Sequence, residues 1–147
     1  MERIIAAQNY LAAYLNVRQL SFGLTDMAWH TITEPFEGDV EQFEVASMAP
    51  SQVQPVVPGT AMAPAFGHIF SGGYAAGYYG YKWAEVLEAD AFSLFKEKGI
   101  FNREVSGSFR ENILSKGGTE HPMELYVRFR GHKPETKALI EKMGLGK

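Results

Sequence analysis

Apolar residues recur at intervals of three and four positions along much of the chain, and this spacing predicts helices. A first helical stretch is predicted over residues 2–33, with a possible break near Asn16 and an end before Pro35. Its apolar stripe consists of Ile4, Ala7, Leu11, Tyr14, Val17, Leu20, Leu24 and Met27. We expect this chain to supply only part of the packing that the stripe needs, as a truncated larger protein would.

Cap and stop residues delimit the later helices. Asp39 is the expected N-cap of a helix over 39–48, in which Phe43 faces inward. The other predicted helices cover 78–98, 106–114, 122–131 and about 135–143, with Gly99, Gly131, Pro122 and Pro134 as their boundary signals. No segment alternates convincingly as a strand does, so the predicted fold class is all-α. We predict one helical domain or fragment, with helices over 1–48, a Pro/Gly-rich loop segment over 49–77 and helices over 78–147.

Composition narrows the possible functions. The 147 residues can bury a sizeable core, and the net charge of -3 gives no electrostatic basis for binding nucleic acid or an anionic membrane. The lack of cysteine excludes disulfides and Cys-based zinc sites and fits a reducing compartment, so we expect a cytoplasmic protein. Residues 45–81 contain no Asp, Glu, Lys or Arg, but their prolines and glycines would break a membrane helix. We interpret them as buried or cleft-lining irregular chain.

The stretch from His68 to Tyr81, here called the tyrosine segment, is the main candidate for function. It holds four tyrosines among glycines and alanines. If the segment is helical, Tyr74, Tyr78 and Tyr81 share one face. Their hydroxyls can donate to an oxyanion or a peptide carbonyl, and His68 can donate a hydrogen bond or shuttle a proton. Aromatic residues at this spacing are also typical of a core, and the pattern alone leaves the two interpretations even.

No other pattern in the chain indicates a complete catalytic site. His30 and Glu34 stand four residues apart, as two metal ligands on a helix do, but the sequence offers no third ligand. The chain has no His-Glu-x-x-His, no phosphate loop and no Gly-x-Ser-x-Gly. Ser71 has no base near it in sequence, which argues against a serine nucleophile. We predict no metal ligands in this chain.

The run from His68 to Leu87 resembles the C-terminal part of the thimet oligopeptidase family. These are zinc peptidases that include oligopeptidase A and peptidyl-dipeptidase (dipeptidyl carboxypeptidase). Other similar stretches are Arg18–Leu20, Pro58–Gly59, Gly99–Glu104, Ser108–Arg110, Asn112–Leu114, Gly117–Glu120, Arg128–Gly131 and Met143–Leu145. The resemblance therefore covers nearly the whole chain. Residues 24–30 favour the peptidyl-dipeptidase branch slightly.

The resemblance implies roles for particular residues. Tyr81 would stabilise the tetrahedral oxyanion, and Tyr74 would contact the substrate near the scissile bond. The implied substrate-binding residues are His68, which would hydrogen-bond the peptide backbone, the flexible pair Gly72 and Gly73, and the cleft residue Tyr78.

The resemblance also implies a zinc ion that other residues bind. In this family the His-Glu-x-x-His helix and a further glutamate lie upstream of the matching stretch. We therefore expect the helical C-terminal portion of a zincin-type oligopeptidase or peptidyl-dipeptidase that hydrolyses short peptides, with zinc as the cofactor of the full-length enzyme. Alone, the chain would be inactive. Its partners would be peptide substrates and the upstream zinc-binding part of the same polypeptide, and its exposed surfaces could form a non-native dimer.

Two alternatives stay open. The chain could be a non-catalytic helical module that binds peptides through the tyrosine segment, or a structural helical domain whose tyrosines are core. A zinc motif in a longer reading frame would distinguish the peptidase from the peptide-binding module. Burial of the hydroxyls of Tyr74, Tyr78 and Tyr81 would favour the structural domain, although a fragment can also expose surfaces that are normally covered.

Overall fold

A computed structural model describes residues 2–146, and within that range it contains helices and turns but no strand. The predicted all-α class is therefore confirmed. The α-helices are α1 (Glu2–Gln8), α2 (Ala12–His30), α3 (Val40–Met48), α4 (Gly67–Phe70), α5 (Gly80–Lys98), α6 (Arg103–Phe109), α7 (Pro122–Arg130) and α8 (Lys137–Lys142). Short 3-10 helices cover Ala49–Ser51 and Ala63–Ala65, and a π-helical segment covers Arg110–Leu114. Among the described helices, none combines the length and the apolar character needed to cross a bilayer.

The chain divides into two compact units, one up to Lys82 and one from Trp83 onward. In the first unit, the predicted break near Asn16 is wrong: α2 runs through Asn16, and the interruption lies at residues 9–11. Leu11 adopts a left-handed backbone with φ of 56°, which stops the helical hydrogen-bond pattern. The surrounding sequence has no glycine or proline, so the usual signals of a break are absent.

Carboxylates of α3 hold the proline-rich segment that follows it. Asp39 caps α3 as predicted, since its Oδ1 accepts a hydrogen bond from the amide of Gln42 at 2.9 Å. Glu44 is 4% exposed, and its two oxygens accept the amides of Met62 at 2.7 Å and Ala63 at 2.5 Å. These bonds offset the cost of burying a charge. They also provide hydrogen-bond partners for backbone amides in a segment that is mostly irregular.

The predicted apolar stripe of the first two helices is largely exposed. Ile4 is 68% exposed, Leu11 51% and Leu20 42%. The buried described residues of this unit are mostly polar: Ser21, Thr25, Asp26 and Glu44, with Ala63 and Ile69. An aromatic group of Trp29, Phe36 and Phe43 adds packing between α2 and α3, with Phe43 facing inward as predicted. The unit therefore exposes much of the apolar surface that would ordinarily be covered.

The second unit has an apolar core between its helices. One cluster joins Val86 and Ala89 of α5 to Ala138 and Leu139 of α8. The other contains Ala91, Val105, Tyr126 and Phe129, packed against Leu87, Leu94, Phe95, Phe109 and Ile113. Inside it, the Tyr126 hydroxyl donates to Asp90 Oδ2 at 2.6 Å, which satisfies a carboxylate that is 3% exposed.

The predicted ends of α5 and α7 and the start of α7 at Pro122 agree with the structure, whereas α8 begins at Lys137, two residues after the start predicted from Pro134. Gly99 and Gly131 follow α5 and α7 with φ of 105° and 89°, the left-handed conformation of a C′ glycine. The predicted start of α6 at residue 106 is three residues late. Asn102 caps the helix by accepting the amide of Glu104 at 2.9 Å, and helix begins at Arg103.

Candidate functional site

The tyrosine segment lies wholly in the first unit and leaves α4 through a glycine pair. A Cβ on Gly72 would stand 2.9 Å from both the Cα and the carbonyl oxygen of His68, so only glycine fits there. Gly73 has φ of +82°, which side chains other than glycine rarely adopt. The chain then folds back, and the amide of Tyr74 donates to the carbonyl of His68 at 3.2 Å.

Two further turns replace the helix that the tyrosine spacing suggested. The amide of Gly77 donates to the Tyr74 carbonyl at 2.8 Å, and that of Gly80 to the Gly77 carbonyl at 3.0 Å. Helix α5 begins only at Gly80. The three tyrosines nevertheless meet, because the turns bring their rings together. The rings of Tyr74 and Tyr81 stack at 5.1 Å, and those of Tyr78 and Tyr81 lie 5.2 Å apart.

Asp26 of α2 binds the backbone of these turns. Its side chain is fully buried, at 0% exposed. Oδ1 accepts the amide of Ala76 at 2.9 Å, and Oδ2 accepts the amide of Tyr78 at 2.8 Å. His30 Nδ1 lies 2.8 Å from Oδ1. A single aspartate in a helical stretch carries no signal that separates it from a surface charge, so the sequence alone does not single out Asp26.

Tyr78 forms a fixed wall of the site. Its ring packs edge-on against Phe22 at 5.8 Å and Phe66 at 5.2 Å, and its hydroxyl donates to Gln19 Oε1 at 2.9 Å. Burial raises the pKa of Tyr78, against a smaller lowering by the positive charge of Arg18. Its hydroxyl therefore stays protonated and engaged within the protein.

Tyr74 and Tyr81 form the open part of the site, here called the tyrosine pair. They are 39% and 42% exposed, so the interpretation of all three tyrosines as core residues does not hold for these two. A hydrogen bond with Tyr74 is the largest cause that raises the pKa of Tyr81, followed by burial and by the neighbouring phenols. The Tyr81 hydroxyl is therefore a neutral donor at physiological pH. His68 is exposed beside the pair, with its ring 5.9 Å from that of Tyr74.

This contact predicts how the tyrosines titrate. The tyrosinate absorbance of the wild type should contain a component that ionises above the ordinary pKa of 10.0 and disappears in Tyr81→Phe. Because the bond to Tyr74 is the largest cause of the shift, Tyr74→Phe should move that component to lower pH. Spectrophotometric titration of the three proteins measures both effects. A Tyr81 component at or below pH 10.0 in the wild type would contradict the hydrogen-bonded pair.

The described residues do not fit a zinc site. Among the side chains that the structure describes, no three of His, Cys, Asp or Glu come close enough to hold a metal ion. Helix α2 ends at His30, so Glu34 does not follow it by one helical turn. The carboxylate oxygens of Asp26 beside His30 already accept backbone amides.

Two cavities lie between α2 and the proline-rich segment. Their volumes are about 220 and 460 Å³. Residues that line both are Tyr14, Arg18, Met48, Gln52, Gln54 and Met62. Arg18 stands 5.2 Å above the ring of Phe22, which itself packs on Tyr78. The uncharged irregular chain thus lines a cleft close to the tyrosine segment.

Comparison with known proteins identifies the class of protein. The model of Peptidase family M3 matches residues 1–145, and the chain belongs to this family. Oligopeptidase A of Escherichia coli (strain K12) is 48% identical over 148 residues, which cover 99% of this chain and 22% of the relative. Probable cytosolic oligopeptidase A of Arabidopsis thaliana is 39% identical, with 98% and 21% covered. Dipeptidyl carboxypeptidase of Salmonella typhimurium is 36% identical, with 98% and 22% covered. The chain thus spans about a fifth of the length of these relatives.

Proposed function

We propose that this chain is the C-terminal part of a zinc-dependent oligopeptidase and that it supplies hydroxyl contacts to the substrate peptide. The observation that carries the proposal is the tyrosine pair: two exposed phenols whose rings stack at 5.1 Å, with the exposed ring of His68 beside them. Membership of a peptidase family supports the same conclusion. The neighbouring Tyr78 also packs on Phe22, which lines one of the two cavities.

The chemistry of peptide hydrolysis gives the pair its role. Attack on the scissile carbonyl places a negative charge on its oxygen, and a neutral donor already in position stabilises that charge. Tyr81 is the proposed donor to the oxyanion, and Tyr74 assists it and contacts the peptide near the scissile bond. His68 donates to the peptide backbone, and Tyr78 forms the adjoining wall. Gly72 and Gly73 are the proposed flexible pair: Gly72 lets the loop pack against the His68 backbone, and the open space at Gly73 lets the peptide approach the loop.

Zinc is the cofactor that the family implies, and we place its ligands outside this chain. The described residues hold no suitable ligand group, so the upstream part of the same polypeptide would bind the ion. On this proposal the chain alone is inactive. The identities of 48% with an oligopeptidase A and 36% with a dipeptidyl carboxypeptidase favour cleavage of short peptides over removal of dipeptides. That preference runs against the slight indication from residues 24–30. The lack of cysteine supports a cytoplasmic location.

The adjoining DNA and the metal content test the proposal. We expect an in-frame His-Glu-x-x-His upstream of Met1. The full-length product should bind zinc and cleave a quenched fluorescent peptide, and a chelator should abolish cleavage. The 147-residue chain should do neither, as measured by elemental analysis and by the same assay. A reading frame without the motif, together with peptide binding by the chain, would show a non-catalytic binding module instead.

A further inference from the structure

We propose that Asp26 is a positioning residue that sets the geometry of the tyrosine pair, an inference that rests on the proposed function. Asp26 is on α2, 50 residues before Ala76 in the chain, and it is fully buried beneath the turns that carry the tyrosines. It contacts neither hydroxyl of the pair. Its effect on the site would therefore pass entirely through the backbone.

The two amides that Asp26 accepts lie between the tyrosines of the pair. Ala76 and Tyr78 follow Tyr74 and precede Tyr81, so the carboxylate fixes the part of the chain that determines their separation. The Tyr78 carbonyl in turn accepts the amide of Tyr81 at 3.2 Å, and the Tyr74 carbonyl accepts the amide of Gly77 at 2.8 Å. One backbone hydrogen bond thus links each tyrosine of the pair to the turn that Asp26 binds.

The turn at Ala76 also needs a hydrogen-bonding partner such as Asp26 to keep its observed backbone conformation. Ala76 has φ of 53°, in the left-handed region that residues with a side chain seldom occupy. Backbone held in such a region persists only where surrounding contacts impose it. Both oxygens of Asp26 are used, and His30 Nδ1 also lies 2.8 Å from Oδ1. Asparagine has one acceptor oxygen, so Asp26→Asn would leave one of the two amides without a partner.

Glu44 provides a matched control. It is a buried carboxylate in the same unit, and it also accepts two backbone amides, those of Met62 and Ala63. Those amides belong to the proline-rich segment and not to the tyrosine segment. Glu44→Gln therefore reproduces the chemical change and the loss of stability without touching the turn that carries the pair.

The experiment compares Asp26→Asn and Glu44→Gln in the full-length peptidase, each with and without Tyr81→Phe. We expect Asp26→Asn to lower kcat by roughly 10- to 100-fold, because displacement of a catalytic group by about 1 Å costs that much. Its effect on KM should be smaller. In the Tyr81→Phe background the hydroxyl that Asp26 would position is already gone, so the same substitution should change kcat by no more than about two-fold. A two-fold change is about the scatter seen when the effects of unrelated substitutions are added. Glu44→Gln, which acts on the cavity wall and not on the turn, should lower kcat much less than Asp26→Asn while lowering the melting temperature to a similar extent.

Each outcome decides between the proposals. If Asp26→Asn lowers kcat no more than Glu44→Gln does, or lowers it equally in both backgrounds, the positioning role is overturned. If Tyr81→Phe itself leaves kcat unchanged, the proposed function fails first. Should Asp26→Asn not fold, replacing Ala76 by its α-hydroxy analogue removes one of the accepted N–H groups and leaves Asp26 in place. A normal kcat in that ester variant would overturn the positioning role as well.

Discussion

In the full-length enzyme, Tyr81→Phe should lower kcat by roughly 10²–10³-fold, the usual cost of losing one oxyanion donor. The substitution removes only the hydroxyl, and the ring that stacks on Tyr74 at 5.1 Å is kept. The oxyanion exists in the transition state and not in the bound substrate, so KM should change little. Steady-state kinetics with a quenched fluorescent peptide measures both constants.

Tyr79→Phe is the control for this prediction. Tyr79 belongs to the same segment and is 60% exposed, but the proposed mechanism gives its hydroxyl no part. We expect its kcat to equal that of the wild type. A Tyr81→Phe enzyme with wild-type kcat would remove the tyrosine pair from the mechanism, and a rise in KM alone would make Tyr81 a binding residue.

Phe129→Ala should lower the free energy of unfolding of the chain by about 3–5 kcal/mol, as loss of a buried aromatic side chain typically does. Phe129 is 6% exposed in the second unit, and its ring lies 5.1 Å from that of Phe109 and 6.2 Å from that of Phe95. The substitution would leave a cavity that these rings can fill only in part. Urea denaturation followed by circular dichroism measures the change.

Phe101→Ala supplies the comparison in the same unit. Phe101 is 94% exposed, so its removal should change the free energy of unfolding by no more than about 0.5 kcal/mol. Equal losses in the two variants would show that the cluster around Phe129 does not form the core of this unit.

Local chemistry explains which parts of the fold the sequence can predict. The all-α class and the ends of α5 and α7 depend on periodicity and on glycine and proline, which act within a few residues. Asp39 likewise caps α3 through an atom three residues away. The left-handed backbone at Leu11 cannot be predicted in this way, because nothing near it favours that conformation.

The candidate site likewise has features that nearby residues predict and features that they do not. The spacing of Tyr74, Tyr78 and Tyr81 predicted that they would meet if the segment were helical, and they do meet, but through turns. Two amides of those turns are accepted by Asp26, a carboxylate some fifty positions away, and pairing across that distance leaves no pattern in a single sequence. The proposed roles of the tyrosines rest on the family resemblance together with the exposure and stacking of the pair.

The tyrosine pair has two hydroxyl protons and one internal hydrogen bond. While one hydroxyl donates to the other, the second proton is directed away from the pair. A hydroxyl hydrogen turns easily about its C–O bond, so the two donors can exchange roles while both rings stay stacked. Either oxygen of the pair can therefore carry the hydroxyl proton that is not used between the two tyrosines. On the proposed function, that proton is the one available to the peptide, and its choice of oxygen needs no change in the backbone.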